Sequence, residues 1–228
     1  MGAKMRKIVL LIGLAFCLVS AETGYTAQEV FCGDKLLSKC ISHYQKQCDD
    51  KNYATCGIVG DLWNEGEEYR NATKYLEMAC ENANIKATYQ INQIDGSIEK
   101  MSGIFTAQIS CKLLGHLYYR GKGMRQDIDK AIKCYKKSCD LGDSDSCGHT
   151  GLMYYTKQDF KNAKEILAKS CEKLENAKSC GLLGAMYADG KGVKTNLSKA
   201  KELFGKACDF GEQLGCDGYK KLNEMNIK

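Results

Sequence analysis

Cysteines recur at a spacing of eight residues along most of this 228-residue chain. The separation is eight in Cys32–Cys40, Cys48–Cys56, Cys139–Cys147 and Cys208–Cys216, and nine in Cys171–Cys180. A cysteine pair that recurs in register with the surrounding sequence predicts a covalent cross-link used once per repeated unit. The pattern constrains the fold and the redox compartment more tightly than it constrains the activity.

The N-terminus predicts export. Three basic residues precede an apolar run from 8 to 19, and Ala21 supplies a small residue before a cleavage point, which together are typical of a secretory signal peptide. The run is shorter than the roughly 20 residues of a membrane span. We therefore expect residues 1–21 to be removed and the mature chain to be secreted, either periplasmic or extracellular, with no membrane association. A less favoured alternative is lipidation of Cys17, for which the bulky Phe16 is unsuitable.

Charge and cysteine content limit which ligands the chain is expected to bind and which cross-links it is expected to form. The formal net charge of +5 falls to about +2 when the three basic residues of the leader are removed, so we expect no nucleic-acid partner. In an oxidising compartment, a cysteine content of 14 favours disulfides. A metal site is disfavoured, because no Cys-x-x-Cys pair occurs and the three histidines are far apart in sequence: His43, His116 and His149. No metal and no cofactor is expected.

Aligning the second cysteine of each pair reveals an internal repeat. Four segments align, at 56–80, 111–139, 147–171 and 180–208, and the period from Cys111 is 36, 33 and then 36 residues. Each segment predicts two helices. The first helix carries a glycine four residues after the cysteine, which indicates a close approach of two backbones: Gly60, Gly115, Gly151 and Gly184. The absence of proline and the lack of alternating β-patterned runs predict an almost wholly helical chain.

The register predicts which cysteines pair. Each disulfide would join the end of one second helix to the start of the next first helix, and Gly-Lys-Gly turns at 121–123 and 190–192 would end first helices. Cys80 and Cys111 are also predicted to pair, although 31 residues separate them. The predicted disulfide cysteines are therefore Cys32, Cys40, Cys48, Cys56, Cys80, Cys111, Cys139, Cys147, Cys171, Cys180, Cys208 and Cys216.

The repeat resembles a known family. The strings CKLLGHLYYRGKGM and DKAIKCYKKSC, with CGLLGAMYADGKGV and SKAKELFGKAC, are similar to Sel-one-like repeats, which are relatives of tetratricopeptide repeats. With the leader and the cysteine pairs, the resemblance narrows to the secreted cysteine-rich repeat proteins of Helicobacter and its relatives. It implies an all-α fold, an α/α solenoid of tetratricopeptide-like helix pairs cross-linked by disulfides.

Three regions follow from this resemblance and from the register. They are a signal peptide at 1–21, an N-terminal helical cap at 22–47 and a repeat solenoid at 48–228. About 23 extra residues, near 83–105, interrupt the solenoid. We interpret them as a tolerated surface loop, since lengthening a closed loop costs little entropy; the alternative is a binding insertion.

Cys134 falls outside the pairing scheme. It occupies a position that is apolar in the other second helices, so we expect a buried residue that behaves as a small hydrophobe. The alternative, a nucleophile, requires a lowered pKa and a neighbouring base, and the sequence shows neither.

Candidate groove residues lie on the first helices, which line the concave face in tetratricopeptide-like solenoids. His116, Tyr119 and Tyr155 are candidates for contacting a ligand there, as is His149. The alternative for the tyrosines is packing between repeats, and for the histidines an ordinary surface position.

The resemblance also implies an activity, since the cysteine-rich relatives are described as penicillin-binding proteins with weak β-lactamase activity. Ser-x-x-Lys strings begin at Ser97, Ser170 and Ser198, but the Ser-Asp-Asn and Lys-Thr-Gly elements of serine β-lactamases are absent, so no catalytic residue is assigned. A β-lactam or peptidoglycan-like small molecule is one expected ligand. The alternative is a non-catalytic scaffold that binds a peptide or protein in the concave groove.

Overall fold

The computed structural model describes residues 37–92 and 98–227, apart from the side chains of 37–40, 91, 92, 98 and 99. The predicted signal peptide, Cys32 and the beginning of the predicted cap lie outside the described residues, and so does the side chain of Cys40. The Cys32–Cys40 pairing therefore stays a prediction.

The described chain forms two compact units, one ending at Gln126 and one beginning at Asp127. Unit 1 contains the helices α1 (Leu37–Asp49), α2 (Tyr53–Glu65), α3 (Tyr69–Asn82) and α4 (Gly103–Arg120), with the strands β1 (Thr88–Asn92) and β2 (Ile98–Ser102) before α4. Unit 2 contains α5 (Ile128–Asp140), α6 (Ser144–Thr156), α7 (Phe160–Lys173), α8 (Ala177–Asp189), α9 (Leu197–Asp209) and α10 (Gln213–Glu224). Successive helices pack against each other in both units, which confirms the α/α solenoid fold class.

Short polar side chains begin five of the six helices of unit 2, the exception being α10. An Asp or Asn immediately before the helix accepts a hydrogen bond from the backbone N–H three residues later, which satisfies one of the amides that a helix start leaves unbonded. These caps are Asp127, Asp143, Asp159, Asn176 and Asn196. The first helices α4 and α8 end at Gly121 and Gly190, whose φ angles of 64° and 72° are left-handed, as the Gly-Lys-Gly turns predict.

Within the residues that the structure describes, five disulfides join each second helix to the first helix that follows. They are Cys48–Cys56, Cys80–Cys111, Cys139–Cys147, Cys171–Cys180 and Cys208–Cys216, with Cα–Cα distances of 4.5–4.8 Å. The cross-linking predicted from the register is confirmed for these pairs. In the chain-entropy model, the 31-residue separation of Cys80 and Cys111 makes this pair more stabilising, at about 3.7 kcal/mol against about 2.5 kcal/mol for an eight-residue separation.

Buried serines accompany two of the disulfides. The Oγ atoms of Ser138 and Ser146, which directly precede Cys139 and Cys147, are 3.0 Å apart, and those of Ser170 and Ser179 are 2.9 Å apart. All four side chains are buried. The hydroxyls therefore satisfy each other where water is excluded.

Three of the predicted glycines, Gly60, Gly151 and Gly184, lie against the following second helix. A Cβ atom at Gly60 would come within 2.6 Å of Leu76 Cγ and 2.9 Å of the Leu76 backbone nitrogen. At Gly151 it would collide with the buried side chain of Leu167. Glycine is required at these positions because the two helix axes come too close for any larger residue.

The segment between Cys80 and Cys111 is not the surface loop expected from the sequence. It forms an antiparallel β-hairpin, in which Thr88 is opposite Ser102, and α4 then begins at Gly103, eight residues before its cysteine. The other first helices begin three residues before theirs. The expectation of an almost wholly helical chain is therefore wrong here, and Thr88–Asn92 does alternate apolar and polar residues after Thr88.

The hairpin packs onto the core of unit 1. Tyr89 and Met101 contact the cluster that contains Tyr44 and the Cys48–Cys56 disulfide. The Tyr89 hydroxyl accepts a hydrogen bond of 2.6 Å from the Asn84 backbone N–H, and the Asn52 side chain donates to the Gln90 carbonyl. These contacts fix the hairpin against the helices at both its base and its β1 strand.

The close approach at Gly151 yields a test. We expect Gly151→Ala to lower the free energy of unfolding by about 2–3 kcal/mol, because the new methyl group overpacks the site against Leu167. Gly181→Ala is the matched control in the same unit, since its Cβ would meet only Ala207 at an ordinary 3.7 Å. That change should instead stabilise α8 by about 0.5–1 kcal/mol. Urea denaturation with the disulfides intact measures both, and equal effects of the two substitutions would contradict the close packing.

Candidate functional site: the inner helix faces

The first helices line the inner side of each unit. In unit 1, α2 packs against α4; in unit 2, α6 packs against α8 and α8 against α10. The second helices α7 and α9 do not pack against each other to the same extent. We call the solvent-facing side of α2 and α4 the unit-1 face, and that of α6, α8 and α10 the unit-2 face.

The position five residues after the second cysteine shows what these faces carry. In unit 1 it holds Asp61 and His116, and in unit 2 it holds Leu152, Ala185 and Lys221. Leu152 is 45% exposed, which is unusual for a large aliphatic side chain on a helix that is otherwise packed. The two faces therefore differ in chemistry at this position. The unit-1 face has a polar side chain on each of its two helices, whereas the first helix of the unit-2 face, α6, has an exposed leucine.

A pair of carboxylates distinguishes the unit-1 face. Burial raises the pKa of Asp61 from 3.8 to about 6, against a hydrogen bond with the Asn64 side chain that lowers it. Burial also raises the pKa of Glu65, from 4.5 to about 7, and the negative charge of Asp61 raises it further. The two residues are one helical turn apart on α2, where like charges repel.

No cation of the described chain offsets this pair. No lysine or arginine among the described residues forms an ion pair with Asp61 or Glu65, whereas the ion pairs of unit 2 lie at exposed positions such as Lys136–Asp140 and Lys199–Glu202. Carboxyl groups held partly out of water without a counter-charge are unfavourable for folding alone, so they mark a candidate binding position. Sequence reasoning missed this pair, because its only signal is an i, i+4 spacing that is common on solvated helices.

The predicted groove residues of unit 1 lie on α4. His116 is half-buried and Tyr119 is 44% exposed. His116 occupies the same repeat position as Asp61 on a helix that packs against α2. On α4 the repeat position that Asp61 holds on α2 is thus an imidazole, and the exposed ring of Tyr119 follows three residues later.

Tyr155, the predicted groove residue of unit 2, takes part in packing between repeats. Its ring lies edge-on to Phe160, with a centroid distance of 5.5 Å. Lys191 Nζ donates a 2.7 Å hydrogen bond to the Tyr155 hydroxyl and lies 5.0 Å from the ring centroid. These contacts favour the packing role that was the alternative for this tyrosine.

The same lysine–tyrosine contact occurs in unit 1. Lys122 Nζ donates to the Tyr69 hydroxyl at 2.9 Å and lies 4.6 Å from the ring centroid, while Gly123 packs against the Tyr69 backbone. In both units the Gly-Lys-Gly turn therefore contacts the preceding repeat, at or beside the start of its second helix. Sequence reasoning assigned this turn only the role of ending a helix.

Two further candidates belong to the core of unit 2. The His149 ring stacks on the buried Tyr135 ring, with 5.0 Å between centroids. Cys134 lies outside the five disulfides and is buried, as are its counterparts Tyr75, Ile166 and Leu203, so its predicted core position is confirmed.

The Ser-x-x-Lys strings do not form a serine–lysine pair in the described residues. Ser97 lies outside them. Ser170 is fully buried and bonded to Ser179, so no substrate reaches it. Ser198 is exposed, but the lysine three residues later, Lys201, donates to the Ile227 carbonyl and lies over the Tyr219 ring.

The described residues contain neither a cluster of metal ligands nor a membrane-spanning helix. Within 37–92 and 98–227, no group of three or more His, Cys, Asp or Glu residues is arranged to hold a metal ion. Of the helices that the structure describes, none combines the length and the apolar character that crossing a bilayer requires.

About half of the chain matches the model of a known protein family. The model of the Sel1 repeat matches residues 67–84, 109–143, 146–173 and 177–210, just over half of the sequence. The chain belongs to the Sel1 repeat family. The Sel1 matches cover most of each of the helix pairs α4–α5, α6–α7 and α8–α9, but only α3 of the pair α2–α3. The turn between α2 and α3 lacks the Gly-Lys-Gly sequence, and Glu67 in it has a left-handed φ of 62°.

Two individual relatives differ in how much of the chain they match. Cytochrome c oxidase assembly factor 7 of Xenopus tropicalis is 32% identical over 127 residues, which are 51% of this chain and 54% of that protein. Beta-lactamase HcpA of Helicobacter pylori is 46% identical over 50 residues, 22% of this chain and 20% of that protein. This Sel1 repeat protein thus spans about half the length of the assembly factors it matches.

A solved structure shows the same fold. The Sel1 repeat protein from Oxalobacter formigenes superposes with a TM-score of 0.55 over 95% of this chain and 86% of its own, at 16% identity. The likeness supports the solenoid architecture. The expected narrowing to the Helicobacter proteins is supported only over a short segment, because the longer matches are to assembly factors.

The carboxylate pair predicts a pH dependence of stability. Because the pKa values of Asp61 and Glu65 are raised in the folded state, the folded chain keeps protons that the unfolded chain releases near pH 4. Their stabilising contribution is fully present below about pH 4 and is lost as the pH rises through about 6 to 7. We expect the free energy of unfolding to fall by several kcal/mol over that range, since a pKa change of one corresponds to about 1.4 kcal/mol.

Chemical denaturation at several pH values measures this dependence. The Asp61→Asn/Glu65→Gln variant should show a flatter profile between pH 4 and 7. A matched control is Glu68→Gln/Glu81→Gln, which removes two exposed carboxylates of the same unit. An unchanged slope in the first variant would contradict the raised pKa values.

Proposed function

We propose that this Sel1 repeat protein is an exported scaffold that binds a segment of another protein through the inner faces of its helix pairs. The observation that carries the proposal is the unit-1 face, where α2, packed against α4, carries the carboxylate pair Asp61 and Glu65 with no cation from the described chain. The unit-2 face, with exposed Leu152, supplies a second contact surface of apolar character.

The comparisons support a scaffold over an enzyme. The longest matches are to proteins named assembly factors, and the name describes action on another protein. Extended faces of stacked helix pairs are the usual binding surface of such repeat proteins. The described residues, in contrast, hold neither a serine–lysine pair nor a metal cluster of the kind that β-lactam hydrolysis uses.

The cross-links support both the binding mode and the location. Five disulfides fix the junctions between helix pairs, so little conformational entropy remains to be lost when a partner binds. Disulfides at this density persist in oxidising compartments, which supports an exported protein.

Charge complementarity supports a basic protein segment as the occupant of the unit-1 face. An arginine or lysine placed between Asp61 and Glu65 would supply the missing counter-charge and lower both raised pKa values. The exposed ring of Tyr119, on the neighbouring helix, offers a surface on which a guanidinium group can stack. Binding should then be coupled to proton release near pH 6–7.

A peptide panel tests this proposal. Labelled helical peptides of one length, carrying zero, two or four arginines in place of glutamine, are titrated with the oxidised protein and followed by fluorescence anisotropy. We expect affinity to rise with arginine content and to fall as salt is added. Asp61→Asn/Glu65→Gln should weaken binding of the four-arginine peptide by about tenfold, since it removes two charge-assisted contacts.

The control for this experiment is Glu68→Gln/Glu81→Gln, which changes the net charge equally but lies away from the face. It should alter the affinity by less than about twofold. Equal losses in the two double variants would indicate general charge attraction and contradict the assigned face. Affinity that is independent of arginine content would exclude a basic occupant.

β-Lactam hydrolysis is the second candidate, favoured by the match to beta-lactamase HcpA. Under the scaffold proposal, we expect the purified oxidised protein to turn over a chromogenic cephalosporin no faster than a reduced, unfolded control. Ser170→Ala should lower stability by about 1–3 kcal/mol, because it leaves the buried Ser179 hydroxyl without its partner, and it should leave turnover at the control rate. Turnover that follows the folded protein and is abolished in Ser97→Ala or Ser198→Ala would overturn the scaffold proposal.

A further inference from the structure

One of the five described disulfides is accessible to solvent. The cysteines of the other four pairs are at most 3% exposed, whereas Cys208 and Cys216 are both partly exposed. Thiol–disulfide exchange requires a thiolate to reach one sulfur atom of the bond, so exposed disulfides exchange more readily than buried ones. The cysteine pairs therefore differ in how readily they exchange with thiols, although their spacing in the sequence is regular.

The helix held by this disulfide buries few of its side chains. In α10 only Gly215 and Leu222 are buried, and within the described chain the helix packs against α8 and α9 alone. By comparison, α6 buries five residues and packs between α5, α7 and α8: Ser146, Cys147, Thr150, Gly151 and Met153. A helix with few buried side chains opens locally at low free energy, so α10 depends on its disulfide more than α6 does.

The contacts of α10 also show what its opening would uncover. Gly215 packs against Ala207, and Gly218 lies against the ring of Phe204. Ala207 is fully buried. Movement of α10 away from α9 would therefore expose an apolar strip of α9 while leaving the other two disulfides of unit 2 in place.

We propose that the Cys208–Cys216 disulfide is a thiol-exchange site that acts as a redox latch: the intact disulfide holds α10 against α9, and its reduction releases α10. A thiolate of a reducing dithiol attacks one sulfur, forms a mixed disulfide with it and releases the other cysteine, which takes up a proton. The second thiol of the dithiol then breaks the mixed disulfide. Two electrons pass from the dithiol to the protein, leaving two protein thiols and the oxidised dithiol, and the reverse reaction closes the latch.

Graded reduction tests the first part of this proposal. The native protein is exposed to dithiothreitol for increasing times, quenched with iodoacetamide and mapped by peptide mass spectrometry. Cys208 and Cys216 should be alkylated about tenfold or more faster than Cys139 and Cys147, or Cys48 and Cys56, which share the eight-residue spacing. If either control pair were reduced first, or if all three disulfides were reduced at the same rate, the proposal would be wrong.

Hydrogen exchange tests the second part. In Cys208→Ser/Cys216→Ser, the amides of α10 should lose protection while those of α6 and α8 keep it. In the control variant Cys139→Ser/Cys147→Ser, any loss of protection should centre on α5 and α6 and leave that of α10 unchanged. If α10 stays as protected in the first variant as in the parent protein, the disulfide is not a latch, whatever its rate of reduction. Neither outcome depends on peptide binding.

Discussion

The covalent junction between each second helix and the next first helix is the constraint on which the other packing depends. With Cα atoms only 4.5–4.8 Å apart, the helix ends leave no room for large side chains beside the cysteines. Most of the residues that precede the cysteines are accordingly small, and at two junctions they bond to each other: Ser138 with Ser146 and Ser170 with Ser179. The glycine four residues further on continues this close approach, because helices that start in contact diverge only gradually.

Local spacing explains what was predictable from the sequence. The pairing of Cys80 with Cys111, the burial of Cys134 and the helix-ending role of Gly121 all follow from register within one repeat. Contacts between repeats did not follow, since nothing beside Lys122 indicates that it reaches Tyr69, 53 residues earlier. The raised pKa values of Asp61 and Glu65 depend on burial by neighbouring helices, which sequence spacing does not encode.

The hairpin was predictable in part from the sequence of the segment that forms it. Tyr89 and Ile91 alternate with polar residues, and the dipeptide Asp95-Gly96, which is typical of hairpin turns, lies between the two strand sequences. What the sequence did not indicate is that Tyr89 and Met101 pack over the Cys48–Cys56 region. Within this chain the positions that repeat specify the stack, and those that do not, such as Asp61 and Leu152, are where a partner would distinguish one helix pair from the next.

The lysine–tyrosine contacts recur once every two repeats, so the structural period of the chain is longer than one repeat. Turns between first and second helices alternate between a short form, as at 66–68 and 157–159, and a long form containing Gly-Lys-Gly. Each long turn reaches back to the short-turn repeat before it, Lys122 to Tyr69 and Lys191 to Tyr155. The element that can be copied intact is thus a pair of repeats, 69 residues from Cys111 to Cys180. Adding or deleting one repeat would bring two like turns together and leave a lysine or an aromatic ring without its counterpart, so chains of this design should lengthen in twos.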